Sequence, residues 1–107
     1  MHDPDAPGGD FLHWSLWNLH PDLSSLPTGS VPDSARQGTN SFGSARYGGP
    51  CPPSGTHHYI FELSALDSEL DLPDGASETD LRQAIADHLI TTTTLTGLCS
   101  ADPTDDL

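Results

Sequence analysis

The residues of this 107-residue chain with chemistry to offer are six histidines, thirteen aspartates, three glutamates, two tyrosines and two cysteines. Most are scattered, but two groups are not. Asp3 and Asp5 stand two apart with prolines at 4 and 7, and His13 follows shortly; further on, Pro50, Cys51, His57, His58 and Tyr59 fall close together. Taken singly, each has an ordinary structural use. The aspartates suit a solvated turn whose carboxylates accept from nearby backbone N–H groups. His13 suits a satisfied strand histidine, and Tyr59 a core aromatic whose hydroxyl finds a partner. His and Asp together also suit zinc, yet no two histidines have the His-x3-His spacing of a helical site, and Cys51 sits among prolines in a glycine-rich loop. No metal and no cofactor are expected. An Asp, a His and a Tyr around one pocket could exchange protons, but the chain has no nucleophile elbow, phosphate-binding glycine loop or paired-carboxylate motif, and nothing marks a base beside Cys51. The expectation is a protein that is not an enzyme.

Charge narrows the partners. Sixteen acidic residues against three arginines, with no lysine, give a formal net charge of -13 and a pI near 4.2. Such a surface repels nucleic acid and anionic lipid, and three arginines neutralise too few phosphates to matter. An acidic, threonine-rich chain of this kind suits molar salt, where the screening length falls to about 3 Å, so a halophilic setting is the reading. No run approaches the ~18 apolar residues of a membrane span, and Met1-His2-Asp3 is neither basic nor apolar like a signal peptide. A cytoplasmic protein is expected; Cys51 and Cys99 could pair, although two cysteines in a chain without a signal peptide are more often free thiols. Leu, Ile, Val and Phe number 21 of 107, close to the ~20% below which highly charged chains are disordered. Periodicity nevertheless argues for a folded domain.

The elements that must position these residues follow from that periodicity. Residues 11–18 alternate as a strand, with Leu12, Trp14 and Leu16 predicted to face the core and Phe11, His13, Ser15 and Trp17 the other side. Residues 20–55, rich in Pro, Gly, Ser and Asn, read as a long loop, a length that a compact domain tolerates when the loop builds a site. Residues 57–66 form a second strand, with His57, Tyr59, Phe61 and Leu63 on one face and His58, Ile60 and Glu62 on the other. Asp74-Gly75 marks a turn, and Ser77 with Asp80 resembles a capping box before Leu81, Ala84, Ile85, His88 and Leu89 at helical spacing. A last short strand is expected around 95–98 within 91–100, then an acidic tail over 101–107. Residues 1–100 are read as one domain.

Asp3-Pro4-Asp5-Ala6-Pro7 followed by Phe11-Leu12-His13-Trp14, and Gly49-Pro50-Cys51-Pro52-Pro53-Ser54-Gly55-Thr56-His57-His58-Tyr59, resemble the two signature regions of the phosphatidylethanolamine-binding protein family, also called Raf kinase inhibitor-like proteins. Gly38-Thr39-Asn40-Ser41-Phe42-Gly43 and Tyr47-Gly48-Gly49 resemble its bacterial and archaeal branch. The resemblance implies a mainly β, antiparallel β-sandwich with long site-forming loops, one C-terminal helix and a small anion-binding pocket. Matched position by position, it implies ligand binding by Asp3, Asp5, His13, Pro50, His57 and Tyr59. The chemistry agrees, since imidazoles and a phenol donate to phosphate oxygens, and a carboxylate behind a histidine fixes its tautomer.

Two departures accompany the match. The family's strand leading into Asp-Pro-Asp is reduced to Met1-His2, so the resemblance implies a chain that starts in mid-domain with its N-terminal strands missing. The family's Gly-x-Tyr ending is Gly97-Leu98-Cys99 here, without the tyrosine. The function expected is a non-enzymatic module binding a small phosphorylated headgroup. The alternative is an inhibitor of a kinase or serine protease acting through its loop surface.

Overall fold

A computed structural model describes residues 1–26, 29–50, 52 and 54–101. Cys51 and the expected acidic tail beyond Ala101 lie outside the described residues. The chain is mainly β, with strands β1 (His2–Asp3), β2 (Phe11–Leu12), β3 (Leu16–Trp17), β4 (Arg36–Gln37), β5 (Thr56–Leu66) and β6 (Leu89–Ser100), and one helix, α1 (Glu78–His88). Four strands form an antiparallel sheet in the order β2-β1-β5-β6, while β3 and β4 pair separately.

The strand expected over 11–18 is two short strands belonging to different sheets. Its middle is held from outside: the backbone N–H groups of His13 and Trp14 both donate to the Met1 carbonyl, and the Ser15 carbonyl accepts from Gly38. A chain that changes sheets cannot keep one alternation through the crossing. The expected core face is therefore wrong at its end, since Trp17, assigned to the outer face, is buried beside Leu70 and Leu81 in the core cluster. Trp14 stays half-buried, its indole N–H donating to Gln37 at 2.8 Å. Asn18 locks the same region with φ of 61°, a left-handed conformation that asparagine tolerates; its side chain donates to the Leu70 carbonyl and accepts from the Leu70 N–H.

Leu66, Leu72, Ala76, Ala84 and Ile85 pack around Trp17, Leu70 and Leu81. The helix brings Leu81, Ala84 and Ile85 to that core because three- and four-residue spacing places them on one stripe. Its start follows the sequence reading, with Ser77 as N-cap accepting from the Asp80 N–H at 3.1 Å. Its end does not, because Leu89, expected in the helix, is the first residue of β6. β6 is also far longer than the short strand expected, twelve residues rich in threonine and leucine and paired against β5 along its length. Among the described residues of the loop over 20–55 there is one unforeseen element, β4, held by the Asp74-Gly75 turn: Asp74 accepts from the Gln37 N–H, and the Gly75 N–H donates to the Gln37 carbonyl. Gly75 has φ of 85°, which explains a glycine there.

Candidate functional site

The antiparallel register decides which chemistry meets. His2 pairs with Leu12 and Ile60, and Asp3 with Phe11, so Asp3, Phe11, His57 and Tyr59 share one face of the four-stranded sheet. On that face the His57 Nδ1 lies 2.6 Å from Asp3 Oδ2, with both side chains almost completely buried. The second oxygen, Asp3 Oδ1, accepts from the Asp5 N–H at 2.8 Å. An ionised carboxylate only accepts, so Nδ1 carries the hydrogen and Nε2 is the free nitrogen of His57.

His13 reaches the same state by another route. Its Nδ1 lies 2.9 Å from the Gly48 carbonyl, also an obligatory acceptor, while the Gly48 N–H donates back to the His13 carbonyl. No described residue hydrogen-bonds to Nε2 of His13 or of His57. The His13 ring packs edge-on against Tyr59 at 5.2 Å between centroids and against Phe42 at 5.4 Å, and Phe42 also meets Phe11 at 4.8 Å. Tyr59 is 3% and His57 7% exposed. The site thus combines two imidazoles of fixed tautomer, one backed by a carboxylate, with an aromatic surround.

Asn40, which sequence reasoning did not single out, organises the loop beneath His13. Its carboxamide donates to the Arg46 and His13 carbonyls and accepts from the Phe42 and Ser44 N–H groups. The signal available in the sequence was Asn40-Ser41-Phe42-Gly43, a turn sequence in which Asn bonds the backbone two residues on. Gly48 lets the Phe42 ring lie close, because a Cβ there would collide with that ring unless it moved. His2, also not singled out, lies between Asp10 (2.6 Å) and Glu62 (3.4 Å).

The remaining predicted residues are placed differently. The Asp5 carboxylate accepts from the backbone N–H and side chain of His58, on the exposed side of β5. Pro50 is exposed, in a segment interrupted by Cys51 and Pro53, which are outside the described residues. The backbone N–H of His58, followed by its imidazole, holds the Asp5 carboxyl below its ordinary value of 3.8. A depressed carboxyl stabilises the fold above that value and loses its contribution as pH falls through the folded value. Asp5→Asn should accordingly lower the urea midpoint at neutral pH, with variant and parent converging in strong acid; an undiminished difference at acid pH would refute this.

Among the described residues no group of three His, Cys, Asp or Glu side chains could hold a metal, and no helix is long and apolar enough to cross a membrane. Cys99 carries a free thiol. A cavity of about 250 Å³ is lined by His2, Leu12, Trp14, Phe61, Leu81 and Ile85 among others, and His13 and His57 are not among its lining residues.

Comparison with known proteins places this chain among relatives. A family model described as phosphatidylethanolamine-binding protein matches residues 1–100. A UPF0098 protein of Methanothermobacter thermautotrophicus is 45% identical over 101 residues, covering 90% of this chain and 67% of its own. Among solved structures, a phosphatidylethanolamine-binding protein homologue, CT736 of Chlamydia trachomatis, is similar with a TM-score of 0.88 and 37% identity, over 94% of this chain and 69% of that one. Escherichia coli YbcL, described as a member of the mammalian PEBP family, gives 0.84 and 31%, over 94% and 68%. The chain spans between about a third and two thirds of the length of the first curated relatives it matches.

Proposed function

The chain belongs to the phosphatidylethanolamine-binding protein family, and from that membership we propose that it is a non-enzymatic binding module for a small phosphate-bearing headgroup. The observation that carries the reading is the buried Asp3–His57 pair at 2.6 Å. With Nδ1 committed to Asp3, a protonated His57 has its Nε2–H left to donate, and charge-assisted hydrogen bonds of this kind are the strong ones for phosphate oxygens. His13 supplies a second such nitrogen, committed at Nδ1 to Gly48. In this reading Tyr59 and Pro50 form walls, while Asp3 orients His57 directly and Asp5 acts at one remove, through the N–H it gives to Asp3. No reaction is assigned, because among the described residues of the site none is a nucleophile held against a base, and binding alone accounts for their arrangement.

The test is a titration with phosphorylethanolamine followed by two-dimensional amide spectra. Shifts confined to the surroundings of His13, His57 and Tyr59 are expected; an unresponsive spectrum would refute the reading. Net charge adds a second expectation. A chain at -13 repels an anionic ligand most at low ionic strength, and raising KCl from ~0.01 to ~1 M shortens the screening length from about 30 to about 3 Å. Affinity should rise roughly threefold or more over that range, through relief of the protein's own field. A monotonic loss of affinity with salt would show that local attraction, not the global field, governs binding.

A further inference from the structure

We infer that Asn40 is a positioning residue of the headgroup site: its carboxamide closes the loop over 40–48 around His13, and that loop sets which imidazole nitrogen His13 offers the ligand. The inference rests on the headgroup reading above and extends it to a side chain that acts only through others. The loop is tied to residues 12 and 13 at both ends. At one end the Ser41 N–H donates to the Leu12 carbonyl at 2.8 Å, and the Ser41 hydroxyl oxygen accepts from the Leu12 N–H at 2.9 Å. At the other the Gly48 N–H donates to the His13 carbonyl at 3.0 Å, and the Gly48 carbonyl faces His13 Nδ1 at 2.9 Å. The residues between must turn back on themselves, and Asn40 holds that turn. Its Oδ1 accepts from the Phe42 and Ser44 N–H groups at 2.9 and 3.1 Å, while its Nδ2 donates to the Arg46 carbonyl at 2.7 Å and the His13 carbonyl at 3.4 Å. A carboxamide has two donor hydrogens and an oxygen with two lone pairs. All four are used here, on a residue only 5% exposed.

The consequence falls on His13. A neutral imidazole carries one N–H, and the hydrogen bond made by one nitrogen decides the state of the other. A carbonyl only accepts, so the Gly48 oxygen keeps the hydrogen on Nδ1 for as long as the loop holds it there. The Phe42 ring, edge-on at 5.4 Å, restrains the imidazole from turning. Gly48 and Phe42 both belong to the loop that Asn40 pins, and the shared His13 carbonyl joins Asn40 and Gly48 directly. His57 takes its tautomer from Asp3 instead. The two histidines of the site are therefore held by separate devices, and His57 serves as an internal control for His13.

The test is Asn40→Asp, which keeps the shape and the accepting oxygen but replaces the donor facing two carbonyls by a second acceptor. Tautomers are read from the ring-nitrogen shifts of the isotope-labelled full chain, through the carbon-bound ring protons, without ligand and at ~pH 9, where imidazoles are neutral. In the parent, His13 and His57 should both carry the hydrogen on Nδ1. In the variant, His13 should move to a mixture or to the Nε2–H form with His57 unchanged, and affinity for phosphorylethanolamine should fall about tenfold, the lower end of losing one hydrogen bond to a charged group. An unmoved His13 tautomer would overturn the inference, as would a change in both histidines together, the mark of general loosening. So would parental affinity once the His13 tautomer has moved. A parent that does not bind phosphorylethanolamine would refute the headgroup reading instead, and the tautomers alone would then decide whether Asn40 governs His13. Should the variant fail to fold, amide exchange on the parent decides: saturation with phosphorylethanolamine should slow local opening at the Phe42, Ser44 and Gly48 N–H groups. Rates at those three amides that ignore the ligand would overturn the inference.

Discussion

His57→Asn is expected to lower the affinity for phosphorylethanolamine by about tenfold to a hundredfold while leaving the amide spectrum dispersed. The size follows from losing one hydrogen bond to a charged group, worth roughly 1.5–3 kcal/mol. Asparagine is the informative replacement because its amide can stand where Nδ1 stood and keep donating to Asp3, so that the buried carboxylate is not abandoned. What it lacks is Nε2. His57→Ala removes both and should lose stability as well as binding, because a buried acceptor without its donor bears the desolvation cost. Isothermal titration of the two variants beside urea unfolding separates these effects. Unchanged affinity in His57→Asn would refute the headgroup site at this histidine. Inhibition of a kinase or serine protease that survived the same substitution would favour action through the loop surface.

Trp17→Ala is the substitution with the largest expected effect on stability, about 3–5 kcal/mol, the usual cost of removing a large aromatic from a core. A domain of this size has only ~5–15 kcal/mol in all. The core cluster rests on three buried residues, Trp17, Leu70 and Leu81, leaving little to collapse into the space. The indole N–H also reaches the Leu72 carbonyl at 3.4 Å, linking strand and loop. Trp14→Ala should cost clearly less, because Trp14 is half-buried and packs edge-on against an exposed Tyr47. Chemical denaturation of both variants checks the order. The reverse order would mean that the even-numbered face of residues 11–18 is the core face after all, as simple alternation predicted.

That contrast shows where local pattern stopped being informative. β5 and α1 were legible because each stays within one environment over many residues: β5 stays in one sheet, with β6 beside it along its length, and α1 keeps one stripe on the core. Residues 11–18 pass from one sheet to another, and the alternation that defines a strand is interrupted by hydrogen bonds to the Met1 carbonyl and from the Gly38 N–H. β4 escaped notice for a related reason. Two residues carry no period, and Arg36–Gln37 is held as a strand by Asp74 and Gly75, far away in the chain.

The candidate site divides in the same way. From the residues alone came the chemical types, the shared face of His57 and Tyr59, the opposed direction of His58, and two signature regions matching a known family. The sequence also determined the absence of charged residues from β6. Tertiary structure decided the rest: that Asp3 sits at the His57 Nδ1, that Asp5 turns to His58 instead, that His13 is committed to Gly48, and that Asn40 braces the loop between them. The physical reason is one of range. Face and period follow from backbone geometry over neighbouring residues, whereas the bond from Asp3 to His57 spans 54 positions and exists only because an antiparallel register lays β1 beside β5.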